Sequence, residues 1–255
     1  MASSSPTLKP TLVITGGSRG IGAGTAKLAA ARGWRVCVSY ERNTDAAEAI
    51  VQEIRSAGGE AIAVRADVRR EQDVIGLFDA ADEAFGPVTG LVNNAGITGR
   101  LGVFAEAAPQ TIREVVEINV IGAMLAAREA ARRMSTAHGG KGGAIVNISS
   151  GAASLGSPGE FVHYAASKAA IDALTLGLAR EVAREGIRVN AVAPGLVMTD
   201  LHTAAGEPGR PERLAPTIPM GRAATLEEIA EPILFLLSPA ASYITGAVLR
   251  VAGGR

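Results

Sequence analysis

Short runs rich in β-branched residues alternate with alanine-rich segments along almost the whole chain. The apolar runs cover residues 11–15, 35–40, 61–65, 90–93, 144–148, 188–193 and 247–251. The segments with helical spacing cover residues 22–32, 45–57, 70–85, 109–136, 164–184 and 225–237. Continuous apolar strands separated by helices are typical of a parallel sheet that is covered on both faces. The alternation therefore predicts an α/β fold: a doubly wound sheet of about seven mostly parallel strands with helices on both faces.

The domain organisation follows from the length and from the position of the chain breakers. A chain of 255 residues allows one large domain or two small ones. The stretch richest in glycine and proline, residues 206–221, lies inside the alternation, before the last helix and strand. We therefore expect a single domain over residues 1–255, in which residues 1–10 form a flexible N-terminal tail.

Charge and composition argue against several classes of protein. The chain has 25 Lys and Arg against 25 Asp and Glu, so it lacks the basic excess of a nucleic-acid-binding protein. No stretch approaches the ~18 consecutive apolar residues of a membrane span, and the N-terminus does not resemble a secretory signal. The single cysteine, Cys37, cannot form an intramolecular disulfide, which suits a reducing compartment. We expect a cytoplasmic protein with no nucleic-acid or membrane partner.

The first strand runs directly into a glycine-rich turn that precedes a helix. Its sequence is Gly16-Gly17-Ser18-Arg19-Gly20-Ile21-Gly22. Ligands of doubly wound sheets bind at the carboxyl ends of the strands. Glycines there let the backbone approach a pyrophosphate closely, and the helix N-terminus offers unpaired N–H groups. The turn therefore predicts a dinucleotide phosphate site.

Two other motifs compete for the same turn. Gly16 to Gly20 also fits G-x-S-x-G, the nucleophile elbow of α/β-hydrolases, with Ser18 as the nucleophile. The elbow needs an earlier strand and loop for its oxyanion hole, and here the motif follows the first strand. A Walker-type phosphate loop is excluded because no Lys-Ser or Lys-Thr pair follows the glycines.

A tyrosine and a lysine lie four residues apart in the predicted helix 164–184. Tyr164 and Lys168 share one helical face at this spacing. A free tyrosine titrates near pH ~10, and a nearby ammonium favours the phenolate, which moves the pKa toward the range useful for general acid/base catalysis. The alternative interpretation is a tyrosine at a helix start and a solvated lysine.

These motifs together resemble the short-chain dehydrogenase/reductase family. The resemblance rests on Thr15-Gly16-x-x-x-Gly20-Ile21-Gly22, Asn93-Asn94-Ala95-Gly96, Ser149-Ser150, Tyr164-x-x-x-Lys168 and Pro194-Gly195, in this order. It implies a Rossmann-type sheet and a reversible hydride transfer between a nicotinamide cofactor and a carbonyl or secondary alcohol carbon. We expect no metal, because His138, His163 and His202 show no ligand spacing.

The resemblance also implies the catalytic residues. Tyr164 is the general acid/base, and Lys168 and Asn119 support it, the latter through water. Ser150 holds the substrate oxygen; the interval of 14 residues between Ser150 and Tyr164 is one longer than is usual in the family. Ser149 is the alternative to Ser150.

Residues after the second strand predict the cofactor preference. Glu41 would accept the ribose hydroxyls of NAD, whereas Arg42 and Arg19 would bind the extra phosphate of NADP. We expect NADP(H) to be preferred, with NAD(H) as the alternative cofactor. The residues predicted to contact the cofactor are Gly16, Ser18, Arg19, Gly20, Ile21, Gly22, Tyr40, Arg42, Asp67, Val68, Asn93, Ala95, Gly96, Tyr164, Lys168, Pro194, Gly195, Val197 and Thr199.

The substrate and the partners are less constrained. Residues 199–222 are predicted to form a substrate lid. The chain resembles NADP-dependent ketoreductases, including 3-oxoacyl-carrier-protein reductases and bacterial glucose dehydrogenases, and a small carbonyl or alcohol substrate fits both. Apolar residues on more than one face of helix 164–184 predict a homo-oligomer, and the family resemblance implies a homotetramer built on this helix and helix 109–136. The alternative function is a non-catalytic NADP-binding sensor on the same fold, against which the intact Ser150, Tyr164 and Lys168 argue.

Overall fold

Seven parallel strands form one sheet in the computed structural model, which describes residues 9–255. The strands are β1 (Thr11–Ile14), β2 (Arg35–Tyr40), β3 (Glu60–Arg65), β4 (Val88–Asn93), β5 (Gly143–Ile148), β6 (Ile187–Pro194) and β7 (Val248–Val251). Their order across the sheet is β3-β2-β1-β4-β5-β6-β7. The central strands are almost wholly buried, as expected for a parallel sheet that is covered on both faces.

Helices lie between consecutive strands and provide the crossovers that a parallel sheet needs. They are α1 (Gly20–Ala31), α2 (Thr44–Ser56), α3 (Glu71–Phe85), α4 (Pro109–Val116), α5 (Ala123–Met134), α6 (Ala152–Leu155), α7 (Val162–Val182), α8 (Leu201–Ala204), α9 (Arg210–Leu214) and α10 (Leu226–Leu237). One core cluster joins the sheet to α1, α2 and α10, and a second joins it to α3, α5 and α7. The predicted doubly wound α/β sheet with helices on both faces is confirmed.

The order of the strands reverses at β1. From β1 the chain moves outward to β2 and β3, then returns to pair β4 on the other side of β1. The carboxyl ends of β1 and β4 therefore open a crevice, where ligands of such sheets bind. The segments that follow β5 and β6 lie along the same edge.

The long helix predicted over residues 109–136 is interrupted. The backbone adopts a π-helical turn at Glu117–Gly122, between α4 and α5. A 3₁₀ turn at Thr136–His138 follows the end of α5. Asn119 lies inside the π-helical turn, and its side chain bonds both backbone groups of Ile97, with Nδ2 donating to the carbonyl and Oδ1 accepting from the N–H at 2.8 Å each. A polar side chain drawn out of the helix in this way explains the local widening.

The predicted N-terminal tail and the predicted substrate lid have different outcomes. The predicted flexible tail falls mostly on residues 1–8, which lie outside the described residues. Residues 199–222 contain α8, α9 and a 3₁₀ turn at Ala215–Thr217, and their role as a lid stays a prediction, as does the single-domain organisation. Over residues 9–255, no helix has the length and apolar character of a membrane span.

Candidate active site

The start of α7 brings a tyrosine and a lysine to the end of β5. Lys168 is 5% exposed, and its Nζ donates to the carbonyl of Ile148, the last residue of β5, at 2.7 Å. The same Nζ lies 5.7 Å from the centroid of the Tyr164 ring. Lys168 is therefore a buried ammonium tied to the sheet edge, not the solvated lysine of the alternative interpretation.

The two serines after β5 have different surroundings. Ser149 is buried, and its hydroxyl donates to the carbonyl of Lys168 at 3.3 Å. The Ser150 hydroxyl accepts from the N–H of Ala152 at 3.1 Å, and hydrogen bonding by Ser150 acts to lower the pKa of Tyr164. The fold thus brings Ser150, and not Ser149, to the tyrosine. The loop at residues 156–159, between Ser150 and Tyr164, contains three residues with positive φ. It is the place where the interval of 14 residues accommodates its additional residue.

Burial dominates the electrostatics of this pair. It lowers the pKa of Lys168 to about 8, with Asp172 acting in the opposite direction. Burial also raises the pKa of Tyr164, while the hydrogen bond from Ser150 and the positive charge of Arg210 act to lower it. We expected Lys168 to bring the tyrosine pKa below its usual value, and this expectation is not met here. The ammonium hydrogen-bonds Ile148, and the loss of water around the phenol has the larger effect.

Asn119 connects the π-helical turn to α7 without contacting Lys168 directly. Its Nδ2 donates to the hydroxyl of Ser167 at 3.0 Å, and that hydroxyl donates to the carbonyl of Tyr164 at 2.7 Å. A Cβ added at Gly96 would lie 3.2 Å from Oδ1 of Asn119 and 3.5 Å from Nζ of Lys168. A side chain at position 96 would therefore crowd Asn119, and glycine lets the backbone lie close to both groups. The water-mediated role of Asn119 stays a prediction.

The glycine-rich turn is packed so tightly that side chains do not fit. Gly16 and Gly20 adopt φ of 64° and 54°, a region that L-residues rarely occupy. A Cβ at Gly22 would lie 2.6 Å from Nδ2 of Asn94 and 2.6 Å from the carbonyl oxygen of Gly16. Arg19 stands at the N-cap of α1, so the first free N–H groups of that helix face the crevice.

The last two motifs lie at the same edge. Pro194 ends β6, and a Cβ at Gly195 would lie 2.8 Å from Cα of Ala252, so a larger residue does not fit there. Val197 is buried and pairs with Ala224 in an isolated bridge. A Cβ at Gly20 would lie 3.7 Å from Cγ2 of Thr199, which places Thr199 next to the glycine-rich turn.

Two asparagines at the end of β4, Asn93 and Asn94, bond neighbouring segments of the fold. Asn93 is buried, and its Nδ2 donates to the carbonyl of Ala123 at 2.8 Å and to Oδ1 of Asn147 at 3.2 Å. The neighbouring Asn94 donates to the carbonyls of Thr15 and Gly16 at 2.9 Å each, so it closes the glycine-rich turn. We did not predict this role for Asn94.

Charged residues gather beyond β2 and β3. Arg69 donates to both carboxylate oxygens of Asp67, the shortest contact being 2.7 Å, and to Oε1 of Glu41 at 2.9 Å. Hydrogen bonding to Arg69 lowers the pKa of Asp67. Arg42 lies 3.3 Å from the same Glu41 oxygen with its side chain 82% exposed. Arg69 was not predicted from the sequence, although Asp67-x-Arg69 directly after a strand is a usable signal.

The other residues predicted to contact the cofactor lie at the end of β2, after β3 and at the start of α1. Tyr40 is the last residue of β2 and is half-buried. Val68 is buried against Gly122, at which a Cβ would lie 2.7 Å from Cγ2 of Val68. Ser18 and Ile21 belong to the turn and to the first residues of α1. Among residues 9–255, no three His, Cys, Asp or Glu side chains are grouped to hold a metal ion.

Comparison with known proteins decides the family. The family model for enoyl-(acyl carrier protein) reductase matches residues 16–255. The chain is 49% identical to the uncharacterized oxidoreductase YgfF of Escherichia coli (strain K12), over 95% of this chain and 98% of the relative. The chain belongs to the short-chain dehydrogenase/reductase family. The predicted resemblance is confirmed, and the protein is an oxidoreductase by family.

Two solved structures of this family are similar over nearly their whole length. A short chain dehydrogenase from Burkholderia cenocepacia J2315, in complex with NADP, has a TM-score of 0.88 at 33% identity and covers 98% of this chain and 99% of its own. The 3-ketoacyl-(acyl-carrier-protein) reductase from Brucella melitensis, complexed with NADH, has a TM-score of 0.88 at 35% identity and the same coverage. Related dehydrogenases thus bind either nicotinamide cofactor.

Burial of Lys168 predicts a measurable pH dependence of stability. The lysine binds its proton less readily in the folded chain than in the unfolded chain, so the unfolded state holds more protons between about pH 8 and the ordinary lysine value. Stability from this residue therefore rises with pH across that window and is lowest below pH 8. Lys168→Met removes this buried charge. We therefore expect its free energy of unfolding to exceed that of wild type by the largest amount near pH 7, and the difference to shrink above pH 8. Urea unfolding of both proteins at several pH values measures this, and parallel curves would contradict it.

Substitution of Gly22 tests the packing of the glycine-rich turn. We expect Gly22→Ala to weaken dinucleotide binding at least tenfold and to lower stability by about 1–3 kcal/mol, because the new methyl overlaps Asn94 and the Gly16 carbonyl. Gly76→Ala is the matched control: Gly76 is inside α3 and a Cβ there meets nothing within 4 Å, so we expect a gain of about 0.5–1 kcal/mol. Cofactor fluorescence titration and thermal unfolding measure both variants. Unchanged binding in Gly22→Ala would show that the turn relaxes around the methyl.

Proposed function

We propose that this protein is an NADP(H)-preferring oxidoreductase that transfers a hydride between the nicotinamide and a carbonyl or secondary alcohol carbon. The observation that carries the proposal is the contact between Ser150 and Tyr164 beside the buried ammonium of Lys168. The tight glycine-rich turn and the N-terminus of α1, which has no side-chain cap, fit a dinucleotide.

Each catalytic side chain has a role in proton handling. The bound cofactor supplies or accepts the hydride. Ser150 donates a hydrogen bond to the substrate oxygen, and Tyr164 gives its phenolic proton to that oxygen during reduction or takes it during oxidation. The positive charge of Lys168 favours the phenolate that forms. Asn119 holds the π-helical turn against α7 through Ser167.

Tyr164→Phe tests the acid/base role. We expect this variant to lose about 10²–10⁴-fold in kcat while keeping the affinity for NADPH, because the ring still packs and only the proton donor is removed. The measurement is NADPH absorbance with a panel of carbonyl compounds that includes ethyl acetoacetate, a simple 3-oxoacyl ester. The 3-ketoacyl-(acyl-carrier-protein) reductase among the similar structures motivates this substrate class. Tight NADPH binding with no turnover of any panel member by wild type would favour the sensor.

The cofactor preference rests on which arginines are free to bind a phosphate. Arg69 is already paired with Asp67 and Glu41, whereas Arg42 is exposed and only loosely bound to Glu41. Arg19 stands at the start of α1. A phosphate bound by Arg19 and Arg42 would compete with Glu41 for Arg42 alone, because Arg69 holds Glu41 and Asp67 more closely, and this supports NADP(H).

Arg42→Ala tests the preference directly. We expect KM for NADPH to rise about tenfold and KM for NADH to stay nearly constant, since one charge-assisted hydrogen bond to phosphate is worth about 1.5–3 kcal/mol. Arg32→Ala is the control, because Arg32 lies at the other end of α1 and pairs with Glu231. A lower KM for NADH than for NADPH in wild type, unchanged in Arg42→Ala, would contradict the NADP(H) preference.

We also propose a homotetramer. Exposed apolar side chains support it on two faces: Val116, Ile121, Met124 and Leu176 around α4, α5 and α7, and Phe235, Tyr243, Val248 and Leu249 around α10 and β7. Two separate apolar faces provide two interfaces, as a tetramer with twofold axes needs. Sedimentation that shows a monomer at micromolar concentration would contradict this assembly.

A further inference from the structure

A buried arginine of the predicted lid lies close to the catalytic tyrosine. Arg210 begins α9, within residues 199–222, and is only 8% exposed. Its Cζ lies 5.0 Å from the centroid of the Phe161 ring. Phe161 in turn meets Tyr164 edge to face, with the ring centroids 5.6 Å apart and the planes at 78°. A single aromatic ring thus separates the guanidinium from the tyrosine.

The same guanidinium fastens the lid segment to the loop before α7. Its Nη2 donates to Oε2 of Glu160 at 2.5 Å, and the backbone N–H of Gly102 donates to the Glu160 carbonyl at 2.9 Å. Within residues 9–255, its Nε has no hydrogen-bond partner, and it lies 3.8 Å from Oε2 of Glu207. The guanidinium therefore has one buried N–H without an acceptor.

A second arginine of α9 carries the same charge in a different place. Arg213 donates to both carboxylate oxygens of Glu207, at 2.5 and 2.9 Å, and lies 3.7 Å from Glu160. Its side chain is 53% exposed, so water screens its charge. The two positive charges of Arg210 and Arg213 equal the two negative charges of Glu160 and Glu207. Of the two arginines, Arg210 is the one that contacts Phe161.

We propose that Arg210 is a positioning residue for Tyr164: it carries a positive charge from the lid segment to the place where the tyrosine becomes negative during the reaction. This inference rests on the proposed function. The groups that face Tyr164 are Ser150 from the end of β5, Lys168 from its own helix and Arg210 from α9. The charge of Arg210 acts to lower the pKa of Tyr164, against the effect of burial. It also acts on His202, whose pKa is lowered mainly by burial, so that this histidine adds no charge near neutral pH.

The consequence is a link between the lid and the acid/base step. When the segment that carries Arg210 lies against Phe161, the phenolate is favoured by two cations, Lys168 and Arg210. When this segment moves away, only Lys168 and Ser150 are left to favour the phenolate against the effect of burial. Proton transfer is then faster with the lid in the arrangement seen here.

The test compares variants that differ in where one charge is lost. Arg210→Gln and Arg213→Gln each remove one positive charge from the same four-residue cluster, and Arg210→Lys keeps the charge at position 210. The reaction is oxidation of ethyl 3-hydroxybutyrate with NADP⁺, in which Tyr164 must accept a proton. Thermal unfolding of each variant verifies that the chain is folded.

We expect Arg210→Gln to lower kcat near neutral pH about tenfold, with recovery as the pH is raised, because the rising limb of the pH profile moves to higher pH. Arg213→Gln and Arg210→Lys should keep the limb close to that of wild type. Superimposable profiles for wild type and Arg210→Gln, an equal displacement in Arg213→Gln, or an Arg210→Lys profile like that of Arg210→Gln would each overturn the proposal.

A spectroscopic titration separates this inference from the proposed function. The chain contains three tyrosines, so Tyr40→Phe with Tyr243→Phe leaves Tyr164 as the single tyrosine. In that background, the midpoint of tyrosinate absorbance should rise when Arg210→Gln is added and stay constant when Arg213→Gln is added. A midpoint that does not move with Arg210→Gln contradicts the role of Arg210, even where wild type shows turnover. Absence of turnover in wild type contradicts only the proposed activity.

Discussion

The hydrogen bond from Lys168 to the Ile148 carbonyl joins the two parts of the molecule on which the site depends. It ties α7 to the end of β5, so the helix that carries Tyr164 is held at the carboxyl edge of the sheet. Because all seven strands are parallel, the ends of β1, β4, β5 and β6 meet at that edge. The glycine-rich turn and Ser150 are thereby brought to the same crevice.

Burial has opposite effects on the two titrating groups of this site. It makes the ammonium of Lys168 easier to deprotonate and the phenol of Tyr164 harder to deprotonate. Hydrogen bonding from Ser150 and the positive charge of Arg210 act to lower the pKa of Tyr164 against that cost. The site is therefore best understood as a balance between desolvation and nearby charge, and each contributor comes from a different element of the fold.

Sequence reasoning reached the fold and most of the site for identifiable reasons. Alternating apolar runs and helical segments predict a doubly wound sheet, which the structure confirms. The glycine spacing after β1 predicts a dinucleotide phosphate site, and at Gly22 the packing leaves no room for a side chain. It failed where long-range contacts decide. The π-helical turn at Asn119 depends on Ile97, which is distant in sequence, and the direction of the Tyr164 pKa depends on burial.

The sequence alone determined the alternation of strands and helices, the glycine-rich turn and the Tyr164–Lys168 spacing, because each depends on neighbours within a few residues. Only the tertiary structure showed that the Ser149 hydroxyl bonds the Lys168 carbonyl, paired Arg69 with Asp67 and Glu41, and brought Arg210 to Phe161. The physical reason is that burial and charge at a side chain are set by whatever packs against it in space. In this fold those groups come from elements far apart in the chain.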